Sequence, residues 1–210
     1  MGGRGAKSSY GDEGITTGDS GRPLTFYDLT DKYKGMTIQE FEKAIRDRKV
    51  EYIGLADKNG KIIIAGSSNN EGAVAVPTTH PDFNKAKTLT HNHPYYGGRE
   101  LGGSFSGADV KNHVTLGLDS SRATSKEKTY IIRQGTTTKE QRKSMYSKAS
   151  KSDSQWSKEV NTRINRLVSN GKQMSKETTA RVRYGYGTRL WKNLARNSGY
   201  EYIEIKPKNR

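Results

Sequence analysis

The chain has 210 residues, a net charge of +15 and a mean hydropathy of −0.95, and only 30% of its residues are hydrophobic. No run approaches the roughly 18 apolar residues of a membrane span, and the N-terminus lacks the apolar stretch of a secretory signal. With no Cys, disulfide scaffolds and thiolate metal sites are excluded. These properties predict one α/β domain of ordinary size with appendages, cytoplasmic, in which any metal is held by imidazole and carboxylate.

Residues 1 to about 35 are rich in Gly, Ser, Thr and Asp and read as a disordered segment. Thr37-Ile38-Gln39-Glu40 is a capping box that opens a helix, with Ile38, Phe41 and Ala44-Ile45 on one face. Val50 to Ala56 reads as a strand and Asp57 to Gly60 as a turn. Lys61 to Ala65 is its hairpin partner. Ser67 to Gly72 is a loop, Ala73 to Val76 a short third strand, and Pro81 to Lys87 a helical turn.

Thr88-Leu89-Thr90 then leads into His91-Asn92-His93-Pro94. Strand side chains alternate, so the two histidines point the same way. Ser106 is a plausible N-cap for a helix carrying Asp109 in its first turn, with Val110, Val114 and Leu116 to Leu118 along it. Two imidazoles and one carboxylate leave a fourth tetrahedral position for water, the layout of a catalytic zinc site rather than a structural one. His80 precedes Pro81 in a loop and His113 lies one turn beyond Asp109; neither reads as a ligand. The consecutive triplet His91-Asn92-His93 does not have the spacing of an HNH nuclease.

A strand is predicted from Thr129 to Gln134, followed by two polar, basic helices, Lys139 to about Asn170 and Ser175 to about Asn197. Tyr200 to Ile205 alternates as a last strand. From Thr136 to Arg210, 18 Lys and Arg stand against 6 Asp and Glu, so +12 of the net charge lies there. Such a block attracts nucleic acid through phosphates, although a solvated helical face or a protein-assembly surface explains the same composition. Organisation is therefore expected as 1–35 disordered, 36–135 a metal-binding domain, and 136–210 a basic, mainly helical extension.

The order of helix, strand with Glu, hairpin, His-x-His-Pro strand and Ser-x-x-Asp resembles the JAMM (MPN-type) metalloprotein family over about residues 36 to 134. RadC-type members share the wording His-Asn-His-Pro. The resemblance implies a mixed sheet flanked by helices and Zn²⁺ on His91, His93 and Asp109. It makes Glu51 the water-activating base and Ser106 the support for the oxyanion. It also implies hydrolysis of an amide or isopeptide bond in a protein or peptide substrate. Glu71 and Glu100 are fallback bases, and a plain surface role for Glu51 stays open. The loop from His93 to Ser106 departs from the family: it is longer, twelve residues from Pro94 through Phe105, five of them Gly or Pro.

Met1-Gly2-Gly3-Arg4-Gly5, Ser104-Phe105-Ser106, and Trp191 to Ala195 with Gly199-Tyr200 are also similar to phage-encoded head-associated proteins. That leaves, as the alternative to a peptidase, a virion or DNA-associated structural protein with a non-catalytic domain, located in the virion or the bacterial host cytoplasm.

Overall fold

The computed structural model describes residues 10–13, 24–96, 99–100, 104–126 and 128–206. In chain order the elements are β1 (Tyr10–Glu13), β2 (Leu24–Asp28), α1 (Thr30–Tyr33), α2 (Ile38–Ile45), β3 (Tyr52–Ala56) and β4 (Ile62–Ser67). A 3₁₀ turn, Phe83–Lys85, precedes β5 (Thr88–Asn92), β6 (Tyr95–Tyr96) and β7 (Arg99–Glu100). Then follow α3 (Gly107–Leu116), β8 (Ser120–Thr124), β9 (Thr129–Arg133), α4 (Lys139–Ser169), α5 (Lys176–Asn197) and β10 (Glu201–Ile205).

The sheet runs β2-β4-β3-β5-β8-β9-β10, with the short β1 added beside β2. Every pairing is antiparallel except β5 with β8, the two strands that α3 connects. A parallel pair needs a crossover, and a helix is the usual one. This crossover carries the chain from the C-terminal end of β5 through residues 93–106 to the start of α3. Strands β6 and β7 form a separate hairpin within the loop between them.

Local chemistry explains the predicted elements. Thr37 and Glu40 cap α2 reciprocally, Thr37 N donating to Glu40 Oε2 at 2.8 Å and Glu40 N to Thr37 Oγ1 at 3.2 Å. Asp57 Oδ1 accepts from both Asn59 N and Lys61 N at 2.9 Å, and Gly60 takes the positive φ of 72° that the turn requires. Gly54 lets α2 lie against the sheet, because a Cβ there would stand 2.5 Å from the Phe41 ring.

Two elements differ from expectation. Val74, Ala75 and Val76 are fully buried but form no ladder strand, and Ala75 N donates instead to Ser68 Oγ at 3.0 Å. β8 was not foreseen, because Ser-Ser-Arg-Ala-Thr has no apolar alternation; its buried polar groups find partners only in the tertiary structure. Order also begins before residue 35: β2 turns Phe26 into the core with no exposure, and α1 buries Tyr33.

Three apolar clusters hold the sheet. On one face, Phe26, Ile53, Leu55, Leu89 and Val74 to Val76 form the first. Ala123, Tyr130 and Ile132 form the second on that same face, with Val110, Met145, Trp191 and Ala195 of the helices. On the other face, α1 and α2 bring Tyr33, Phe41 and Ile45 against Ala56, Ile62 and Ala65. No helix among the described residues is long and apolar enough to cross a membrane.

Beside the third cluster lies a buried ion pair. Arg122 donates from Nε to Glu42 Oε1 at 2.6 Å and from Nη2 to Oε2 at 2.9 Å, and Thr90 Oγ1 donates to Oε1 at 2.9 Å. Glu42→Ala strands the buried guanidinium without its partner. We expect it to lower stability by about 3–5 kcal/mol, read from denaturant midpoints at an unchanged slope.

Candidate metal centre

His91 is the fourth residue of β5 and His93 follows its end, so alternation sets both rings on the sheet face that carries the first two clusters. His93 N still donates to Thr124 O of β8 at 2.8 Å, which keeps the backbone extended past the strand. Asp109 arrives from the first turn of α3. His91, His93 and Asp109 are 0%, 8% and 4% exposed, and a ligand atom from each lies within 4.8 Å of the other two.

The donor spacing suits an ion. His91 Nε2 and His93 Nε2 are 3.0 Å apart, His91 Nε2 is 3.4 Å from Asp109 Oδ1, and His93 Nε2 is 3.7 Å from Asp109 Oδ2. Tetrahedral N and O ligands at roughly 2.1 Å from a metal stand about 3.4 Å from one another. Asp109 Oδ1 and both Nδ1 atoms are buried with no hydrogen-bond partner among the described residues. Buried polar atoms are ordinarily satisfied, and a cation between the Nε2 atoms and Oδ1 would satisfy the carboxylate oxygen. Burial alone would raise the Asp109 carboxyl, but the close approach of His91, and then of His93, holds it well below the usual carboxylate range.

Ser106 decides how Asp109 is presented. Its backbone N and its Oγ both donate to Asp109 Oδ2, at 2.7 and 2.8 Å, while Asp109 N donates to Ser106 Oγ at 3.1 Å. This capping box opens α3, and a carboxylate in a first helical turn is favoured by the helix dipole. The Ser-x-x-Asp spacing is therefore a helix cap as well as part of the candidate site.

Glu51 lies outside the three-residue cluster. The β3–β5 pairing ends with Ile53 opposite His91, and Glu51 lies two residues before Ile53, just ahead of β3. Its backbone is pinned on both sides: Glu51 N donates to Asn70 O at 2.7 Å and Ser67 Oγ donates to Glu51 O at 2.7 Å. Asn92, between the histidines, accepts Tyr52 N on Oδ1 at 2.7 Å and donates from Nδ2 to Val50 O at 3.1 Å. Asn92 thus takes the place of the strand ladder around Glu51, which is itself 4% exposed. Sequence reasoning passed over this residue; its one signal was a polar side chain between two candidate ligands.

Sequence reasoning also missed two residues from the C-terminal part of the chain. Trp191 Nε1 of α5 donates to Phe105 O at 2.5 Å, and the Tyr202 hydroxyl of β10 shares a hydrogen bond with Ser104 Oγ at 2.6 Å. Both hold the backbone immediately before Ser106. Of the fallback bases, Glu71 lies in the loop after β4, and the Glu100 side chain is outside the described residues. His80 accepts Asp82 N on Nδ1 at 3.1 Å and is not part of the cluster.

Compared with models of known protein families, with curated proteins and with solved structures, the chain matches none. What the molecule itself supports is a buried His-His-Asp group able to hold a metal ion.

His113 is not part of that group; its Nδ1 is 3.0 Å from Ser121 Oγ and its ring is edge-on to Tyr200. Burial lowers its pKa to about 4, against 6.5 for a free imidazole. Between those values the unfolded chain binds a proton that the folded chain refuses, so stability is full above pH 6.5 and falls as the pH drops toward 4. Denaturant titrations from pH 7 to 4 should show His113 contributing a loss of about 3 kcal/mol. His113→Asn should remove that share of the acid limb, whereas an unchanged limb would contradict the assignment.

Proposed function

We propose that the protein is a zinc-dependent hydrolase of the JAMM type, cutting an amide or isopeptide bond in a protein or peptide substrate. The observation that carries this reading is the convergence of His91 and His93 with Asp109 from the crossover helix; the buried Glu51, just before the strand that pairs with β5, is the carboxylate we assign as base. Borderline-soft Zn²⁺ suits two imidazoles and one carboxylate, and when bound there it supplies Lewis acidity and lowers the pKa of water toward ~7.

The chain's own residues have the remaining roles. Glu51 Oε takes a proton from the attacking water and hands it to the leaving amine nitrogen, so that one carboxylate serves as base and then acid. Ser106 Oγ–H donates to the oxyanion of the scissile carbonyl. Asn92 holds the peptide groups on either side of Glu51, which limits where that carboxylate can swing.

One observation favours a second reading, a metal-stabilised domain without hydrolysis. The Ser106 hydroxyl already donates to Asp109 and accepts from it, so it must turn to serve an oxyanion. Activity separates the two readings.

Full-length protein loaded with zinc and then desalted should retain one zinc per chain by elemental analysis, and His91→Ala should lose it. No retained zinc in the wild type would sink both readings. Glu51→Gln should keep the zinc and the unfolding transition but lower turnover on linear or isopeptide-linked peptides by about 10²–10⁴-fold. Equal turnover by wild type and Glu51→Gln would move the base to Glu71 or Glu100 or sink the mechanism, and no turnover by the wild type would leave only the non-catalytic reading.

A further inference from the structure

The sheet face opposite the histidines carries a second feature. Thr90 and Arg122 point there, since they alternate with His91 and Ala123 along β5 and β8. Beyond the edge of α2 that face is a groove of about 620 Å³. Lys43 of α2 and Arg46 just after it line the groove together with Arg133 of β9 and Lys206 just after β10. Arg122 and Glu42 also line it, but they neutralise each other in their bidentate pair. None of the other four cations forms an ion pair among the described residues, and Arg46 Nε is buried with no hydrogen-bond partner. Glu201 stands opposite Arg133 in the strand register, yet it neither lines the groove nor pairs with that arginine.

We propose that this groove binds the phosphodiester backbone of a nucleic acid. Four uncompensated cations around one concavity demand anions, and the arginine fork matches phosphate oxygens in a way a point charge does not. The floor strands β8 and β9 are hydrogen-bonded on both sides, so an acidic peptide could add a strand only at β10, the last strand of the sheet. Its apolar surface is the aliphatic Ile131 and Ile205, without an aromatic ring on which a base would stack. Recognition is therefore of charge, independent of base sequence. This site is separate from the metal centre and does not rest on its hydrolytic reading. It also places nucleic-acid contact chiefly on α2 and β9 rather than on the basic helices α4 and α5.

The test is fluorescence anisotropy of the full-length protein with short labelled random-sequence DNA, single-stranded and duplex, between about 50 and 200 mM salt. The double variant K43E/R133E should weaken binding at least tenfold. On duplex, it should also lower the slope of log affinity against log salt by about 1.8, two lost phosphates at about 0.9 each. The neutral pair K43Q/R133Q should fall between it and wild type, which guards against a folding effect of charge reversal. K158E/R166E on the exposed surface of α4 should bind as wild type does. The inference is overturned if the wild type does not bind DNA at the low-salt end. It is overturned equally if the α4 variant loses binding while the groove variants keep it, or if poly-glutamate displaces DNA as well as inorganic polyphosphate does.

Discussion

Asp109 uses its two carboxylate oxygens for different purposes, and the candidate site follows from that division. Oδ2 is held by the backbone and side chain of Ser106, which fixes the entrance to α3. Oδ1 is then left without a hydrogen bond, close to His91. A cap alone would be served by any exposed acceptor. A cap whose second oxygen is buried against two imidazoles leaves a buried acceptor unsatisfied, an arrangement that costs free energy unless a cation completes it.

That point is framed on both sides by apolar packing. The cluster around Ile53, Leu55 and Val74 to Val76 lies on one flank, and the cluster around Val110, Met145 and Trp191 on the other. The second depends on α4, α5 and β10. The C-terminal part of the chain therefore completes the wall behind α3, and through Trp191 and Tyr202 it holds the return of the loop before Ser106. The opposite face divides differently: α1 and α2 cover β3 and β4, while β8 to β10 keep a basic groove. One sheet thus separates a polar, buried centre from a charged, open surface.

Much of this was legible along the chain because the signals were local. Thr37 and Glu40, Ser106 and Asp109, and Ser175 mark helix starts by hydrogen bonds that span three residues, and each proved to be a cap. His91 and His93 share a face by strand alternation alone. β8 was not legible: Arg122 is tolerable in a central strand only because Glu42, eighty residues earlier, receives it. The residues Val74 to Val76 show the converse. Their apolar, β-branched composition signalled a strand, yet burial rather than ladder pairing was what it served.

By itself the sequence determined the ligand chemistry: with no Cys, two histidines in register and an aspartate at a helix start, only a nitrogen and oxygen donor set was possible. Only the tertiary structure decided that these donors meet. The parallel pairing of β5 with β8 sets α3 over the end of the histidine strand, and Trp191 and Tyr202 anchor the residues before its cap. Those interactions join residues 32 to 98 positions apart in the chain, beyond the reach of any local pattern.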